Sequence, residues 1–244
     1  MQNSLIRNFL NVTFLIFALT FLYFSYSNNG LLAANNYWYK TFEASSEQLV
    51  LDGILNGGDR PTLGRFSRPT IDQQVSEAHK LFEDANKEGK FKVYTSQYGF
   101  QVQMFNHLRN IGFENVNHLK SLTAFLMAVV VLGLTITILR DFSARSALVF
   151  YIVFLISPWV ISFSSNLYWI SFSWFIPLLL TSIFSPKIYK NIRFYYFLLA
   201  LLFLSFLFKF LSGYEYITTI VLASITPIVY HGLKLKKAYR FILV

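Results

Sequence analysis

Apolar residues along the chain fall into six long blocks separated by segments of very different length. The blocks run from about Phe9 to Tyr26, Leu122 to Leu139, Ala147 to Phe163, Tyr168 to Phe184, Phe194 to Leu211 and Ile217 to Tyr230. Roughly 20 mostly apolar residues cross the hydrocarbon core of a bilayer as a helix. The first block carries no charge, the fifth carries Lys209, and the sixth is shorter and contains Pro227. A core helix of a soluble protein keeps a polar face, and the run LALLFLSFLF has none. The pattern therefore predicts an all-α polytopic membrane protein with about six transmembrane helices. Arg7 followed by an apolar run resembles a secretory leader, but Phe24, Tyr26, Asn28 and Asn29 stand where small residues would mark cleavage, so the first block reads as a retained span.

Three regions follow: 1–27 with the first span, a loop of 91 residues from Asn28 to His118, and a five-helix membrane region over 119–244. The loop is rich enough in Leu, Val, Ile and Phe to fold by itself. Ser45 and Gln48 match a capping box at the start of a helix with Leu49, Val50, Leu51, Ile54 and Leu55 on its apolar face, and Gly57-Gly58 ends it. The arginine-rich DRPTLGRFSRP reads as an irregular loop. Thr70 and Gln73 cap a second predicted helix, to about Lys87, with Gly89 as its stop; FKVYTS alternates like a short strand, and QYGFQVQMFNHLRNI reads as a third helix leading into span two. The loop thus predicts a mainly helical domain.

Charge sharpens the topology. The chain has 21 Lys+Arg and 12 Asp+Glu, a formal net charge of +9, which alone would point to a nucleic-acid binder. Yet the 91-residue loop is close to neutral, and the excess sits on Arg7, Arg140, Arg145, Lys187, Lys190, Arg193, Lys234, Lys236, Lys237 and Arg240. If six spans alternate, every one of those residues faces the same side. Short Lys/Arg-rich loops stay cytoplasmic and long loops cross regardless of charge. The expectation is a cytoplasmic N-terminus and C-terminus, an extracytoplasmic loop over 28–118, and no nucleic-acid partner. Tyr37, Trp38, Tyr39, Trp159, Tyr168, Trp169 and Trp174 suit the outer interface. The chain has no cysteine, which excludes a disulfide scaffold and a thiolate zinc site.

The candidate chemistry lies mostly in the loop. Glu43, Glu47 and Asp52 fall within ten residues, and a carboxylate at a membrane surface can act as general base for an acceptor hydroxyl. The plain alternative for Glu47 is that it complements the positive end of its helix. Arg60, Arg65 and Arg68 fall within nine residues, and guanidinium groups suit phosphate oxygens, although a solvated loop explains them equally. Lys209 and Glu215 sit at the outer ends of spans five and six; ionisable groups at that depth are functional candidates or a self-neutralising pair. His79, His107, His118 and His231 show no ligand spacing, no phosphate-binding glycine loop or serine nucleophile elbow occurs, and no cofactor is read; a divalent metal is left open.

One cytoplasmic end, one span, a large helical outer loop with early acids and then short-looped spans resembles the N-terminal half of membrane glycosyltransferases of the GT-C fold. FEASSEQLVLDGILNGGDRP is similar to that family's acid followed by an amphipathic helix ending near a Gly-Asp turn, and YTSQYGFQ stands where the family has a substrate-lining stretch. The resemblance implies a bacterial inner-membrane enzyme that moves a sugar from a polyprenyl-phosphate carrier to a cell-envelope acceptor. It implies Glu43 as the catalytic acid with Glu47 the alternative, and Asp52, Arg60, Arg65, Arg68, Tyr94 and Glu215 as substrate contacts. Two departures stand out: Ala44 follows Glu43 where the family often pairs two acids, and the usual Pro pair after the loop is absent. A transporter or flippase component and a non-catalytic assembly protein are the other readings. The C-terminal AYRFILV reads as the first turn of a seventh span, so a fragment is expected.

Overall fold

In apolar surroundings a helix satisfies its own backbone, so the apolar blocks are bound to form helices. The computed structural model describes residues 2–27, 42–58, 61–68 and 75–235. Among these the elements in chain order are α1 Gln2–Ser27, α2 Ala44–Asn56, β1 Gly64–Phe66, α3 Val75–Glu83, β2 Phe91–Val93, α4 Phe100–Asn110, α5 Val116–Asp141, α6 Ala144–Ile156, α7 Pro158–Ser164, α8 Phe172–Ile188, α9 Ile192–Ser212 and α10 Ile217–Lys234. The two strands form one antiparallel ribbon with Arg65 opposite Lys92.

Each apolar block forms a helix, but not six equal ones. Helices α5, α9 and α10 are long and apolar enough to cross a membrane, and α6 with α7 makes a fourth if the bent pair is one span. Val12–Ser27 within α1 and α8 are apolar but shorter. Three helices begin on side-chain caps that the sequence supplies: Asn115 for α5, Ser143 for α6 and Asn191 for α9 each accept a backbone N–H of the first turn.

The third block is broken by 65° at Ser157-Pro158. Proline has no N–H, so the carbonyl four residues back loses its helical partner. That carbonyl is Phe154 O, and the Tyr26 hydroxyl of α1 donates to it at 3.2 Å. Beside it Ser25 Oγ donates to Leu155 O at 2.7 Å. Ser25 and Tyr26 are both fully buried. In return the Tyr151 hydroxyl of α6 donates to Ala18 O. The break is thus closed by α1.

The bundle has two unlike ends. At one end Arg140 donates to Ser182 O, the Tyr230 hydroxyl donates to Asp141 O, and the Tyr189 hydroxyl donates to Ile228 O. Arg145, Lys187, Lys190, Arg193 and Lys234 belong to the chain at this basic end. The other end is covered by residues 42–115. There α2 packs on β1, α3 and α4, and its buried Val50, Leu51, Ile54 and Leu55 join Leu63, Phe66, Phe82, Val102 and Phe105. This cluster runs without a gap into Leu22 and Tyr26 of α1 and Leu119 and Met127 of α5.

Within that region the predicted elements shift in detail. Helix α2 starts at Ala44, so Ser45 lies exposed in its first turn and caps nothing. Gly57, with φ of 67°, ends it in the left-handed conformation that glycine tolerates. The loop read as irregular contains β1, because Gly64–Phe66 pairs with β2. Helix α3 ends at Glu83, before Lys87, and α4 ends at Asn110, a turn short of α5. The Thr70–Gln73 cap, Arg60, Tyr37, Trp38, Tyr39 and the C-terminal AYRFILV lie outside the described residues.

Gly53 faces the backbone so closely that a Cβ there would lie 2.3 Å from Thr62 O. Helix propensity alone makes Gly→Ala worth about 1 kcal/mol of gain. The clash is with backbone and outweighs it, so Gly53→Ala is expected to lose about 1–3 kcal/mol. A lowered unfolding midpoint of the purified protein checks this, and a raised one refutes the close approach.

Candidate functional site

The predicted site residues resolve into three groups. The first is a pair of structural ion pairs on α2. Glu47 is 1% exposed and accepts both carboxylate bonds from Lys120 Nζ of α5, at 2.9 and 3.0 Å. His79 Nε2 of α3 stands 3.9 Å from the same carboxylate. Burial pushes the Glu47 carboxyl up, but the Lys120 ammonium and the adjacent His79 outweigh it and lower the value to about 2. One turn along, Asp52 accepts from Arg68 at 2.8 and 3.0 Å and from the Phe66 amide at 3.1 Å. Arg68 also donates to Asn86 O and lies over the Phe66 ring. Burial raises the Asp52 carboxyl above its usual range, against the opposing pull of Arg68, the Phe66 amide and Arg65. Both side chains of this pair are nearly closed to solvent, at 3% and 2%. Arg65 is exposed and donates to Gln48 Oε1.

The second group is Glu43, the residue just before α2. Its φ of 52° and ψ of 26° put it in the left-handed region, which costs a non-glycine residue about 1–3 kcal/mol. Its carboxylate accepts the Ser46 hydroxyl at 2.6 Å. Glu43 is partly exposed, and of the three early acids it alone has no ion pair among the described residues. Its neighbour Phe42 packs edge-on against Trp159 and Phe163 of α7.

The third group joins Tyr94 to Glu215. Gln97 Nε2 donates to the Tyr168 hydroxyl at 2.9 Å and also to Glu215 Oε1. Tyr94 and Glu215 both act on Tyr168. Gln101 Nε2 of α4 donates to Tyr168 O. Lys209 of α9 is 2% exposed, donates to Gly213 O at 2.5 Å, lies 6.0 Å over the Trp174 ring and feels the Glu215 carboxylate. The rings of Trp169, Trp174 and Tyr216 surround this knot, and Phe163 touches both Trp169 and Trp174. An unbroken run of aromatic contacts therefore leads from Phe42, beside Glu43, to the Glu215 knot.

Sequence reasoning singled out Tyr94, Lys209 and Glu215 but not Gln97, Gln101, Tyr168 or Trp174 as their partners. The stretch YTSQYGFQ held the signal for the two glutamines; nothing local marked Tyr168 and Trp174 as other than interfacial aromatics. Lys120 was visible only as a charge at the mouth of span two. A groove of about 290 Å³ between α1 and α5, lined by Tyr23, Phe113, His118, Ser121, Leu122 and Phe125, includes none of the candidate residues. Among the described residues no three His, Asp or Glu side chains converge as a metal site would require. Comparison with family models, curated proteins and solved structures found no match to this chain.

Removing one partner of a buried ion pair leaves an uncompensated charge and costs about 3–5 kcal/mol. Lys120→Met is expected to destabilise by that order, and Glu47→Met with Lys120→Met to restore most of it; equal losses from the single and double variants would show that Lys120 matters only by packing. Because the folded-state value of Glu47 lies below its ordinary 4.5, its share of stability is complete above that pH and is lost as pH falls toward about 2. The Glu47→Met, Lys120→Met protein should lack that part of the acid loss in a pH series of unfolding midpoints.

Proposed function

We propose that the chain is a six-span inner-membrane protein of a bacterium, with residues 28–118 outside, that transfers a sugar from a polyprenyl-phosphate carrier to a cell-envelope hydroxyl at its outer face. The single observation that carries the reaction is the state of Glu43: strained backbone, a carboxylate oriented by Ser46, and partial access. Observed strain of this kind is a pointer to function because folding alone does not reward it. Glu47, the alternative base, is held by Lys120 and is the weaker candidate.

In this reading Glu43 takes the proton from the acceptor hydroxyl. The acceptor oxygen forms its bond to the anomeric carbon while the bond from that carbon to the carrier phosphate oxygen breaks, with inversion. The electron pair leaves with the carrier phosphate. Arg65, exposed beside the same helix and held by Gln48, would meet that phosphate, whereas Arg68 and Asp52 hold each other and position β1. Tyr94 and Glu215 contact the substrate from the far end of the aromatic run. The basic end of the bundle, opposite residues 42–115, supports the cytoplasmic assignment through the bias of Lys and Arg.

The topology is checked by single-cysteine variants, which start from a chain with no native cysteine. A cysteine at Lys80 should react with an impermeant reagent on intact spheroplasts, and one at Lys190 only after lysis; the reverse pattern rejects the orientation. The chemistry is checked by complementation. A deletion strain should lose an envelope glycan, regain it with the wild-type gene, and stay about 100-fold or more below wild type with Glu43→Gln, the scale of losing a general base. Full restoration by Glu43→Gln at equal protein level rejects Glu43 as base.

A further inference from the structure

Lys187, Lys190 and Arg193 fall within seven residues at the turn between α8 and α9, and all three are exposed. No acid occurs in the sequence between Asp141 and Glu215, so the neighbouring chain offers these cations no counter-charge. Among the described residues Asp141 is the acid at the basic end, and Arg140 and His231 already hold it; no ion pair there reaches Lys187, Lys190 or Arg193. The turn is nevertheless firmly built. The backbone N–H groups of Lys190 and Asn191 donate to Lys187 O, Asn191 Oδ1 accepts the Arg193 amide at 2.9 Å, and the Tyr189 hydroxyl ties the turn to Ile228 O of α10. The Lys187 ammonium lies over the rings of Phe184 and Phe194, at 5.2 and 5.6 Å. Like charges fixed in one turn repel, and an anion from outside the chain relieves that repulsion.

The apolar neighbours select the anion. Ile192, Tyr196 and Phe197 are 60%, 65% and 51% exposed and stand beside or just after the cations in the first turns of α9. A nucleic acid or an acidic soluble protein on the cations would leave those side chains in water. A phospholipid covers both sets: its phosphate meets the positive charges, and its chains lie along the apolar side chains. Helix α9 is long and apolar enough to cross a membrane, which puts its first turn at the depth of the headgroups. Tyrosines suit that same level, and Tyr195 and Tyr196 lie there.

We infer that the α8–α9 turn is a docking surface for anionic phospholipids, with Lys187, Lys190 and Arg193 meeting the headgroup phosphate and Ile192, Tyr196 and Phe197 lying along the chains. The inference rests on the membrane reading above, but on neither its orientation nor its sugar transfer. It gives the basic residues of this turn a role beyond orienting the chain: they recruit negatively charged lipid to one end of α9.

The test uses the full chain in phosphatidylcholine nanodiscs that carry a minor fraction of brominated-chain phosphatidylglycerol or, separately, brominated-chain phosphatidylcholine. A bimane on Tyr196→Cys reports the lipid beside the turn; one on Phe210→Cys, 60% exposed at the other end of α9, is the control. Brominated phosphatidylglycerol should quench the label at 196 about fivefold more effectively than brominated phosphatidylcholine, and the two should quench alike at 210. Lys187→Gln, Lys190→Gln and Arg193→Gln together should abolish the preference, and Lys187→Arg with Lys190→Arg should keep it. Salt at about 1 M, where screening acts within about 3 Å, should abolish it with the turn unsubstituted, so a triple variant that fails to fold leaves the salt series to decide. Equal quenching by the two lipids at 196, an equal preference at 210, or a preference that survives high salt or the triple substitution overturns the surface. So does release of the anionic lipid by a short single-stranded RNA at constant ionic strength, which would assign the turn to a soluble polyanion. None of these outcomes depends on spheroplast labelling or on Glu43→Gln, so orientation, reaction and lipid surface fail separately.

Discussion

The ion pair between Glu47 and Lys120 is the constraint on which the rest of the outer half depends. A carboxylate 1% exposed stays ionised at little cost only beside a cation, and among the described residues Lys120, near the start of α5, is the lysine bonded to it. The pair therefore admits one seating of α2 on the bundle. His79 approaches the same carboxylate from α3, so three helices meet at a single charge. Their apolar faces form one continuous core with α1 and α5.

With α2 seated, the chemistry at its two edges is set by where its ends fall. Its first residue follows Glu43, whose left-handed backbone turns the chain toward Trp159 and Phe163. Its later turns hold Asp52 against Arg68 and so fix the loop that carries Arg65. On the other side, α4 brings Gln97 and Gln101 to the ends of α8, α9 and α10. Among the described residues no ion pair joins the two regions. A line of aromatic rings does, from Phe42 through Phe163 to Trp169, Trp174 and Tyr216.

Much of this was legible along the chain, for definite reasons. Helices were readable because apolar runs such as 199–208 leave no other backbone solution. Their caps were readable in outline, but Ser45 was a false cap: the helix starts one residue earlier, after a left-handed Glu43 that no local pattern foretells. Strand β1 was hidden because its partner lies more than twenty residues away. The bend at Pro158 and the shorter α8 were not legible, because length and proline content, not hydropathy, decide how far a helix runs straight. Among candidate residues, type was legible and partnership was not. Arg68 and Asp52 looked like free chemistry because sequence spacing hides that β1 packs on α2 and brings them within 2.8 Å.

The proline break gives α1 a role that its position at the start of the chain conceals. Phe154 O and Leu155 O receive their hydrogen bonds from residues made well over a hundred positions earlier. Ser25 and Tyr26 are made before the carbonyls they serve. Pro158 opens the break, and a segment from the other end of the sequence supplies its donors, so the kink as it stands belongs to two distant segments. A chain without α1 would keep the proline and its bend and leave both carbonyls without these donors.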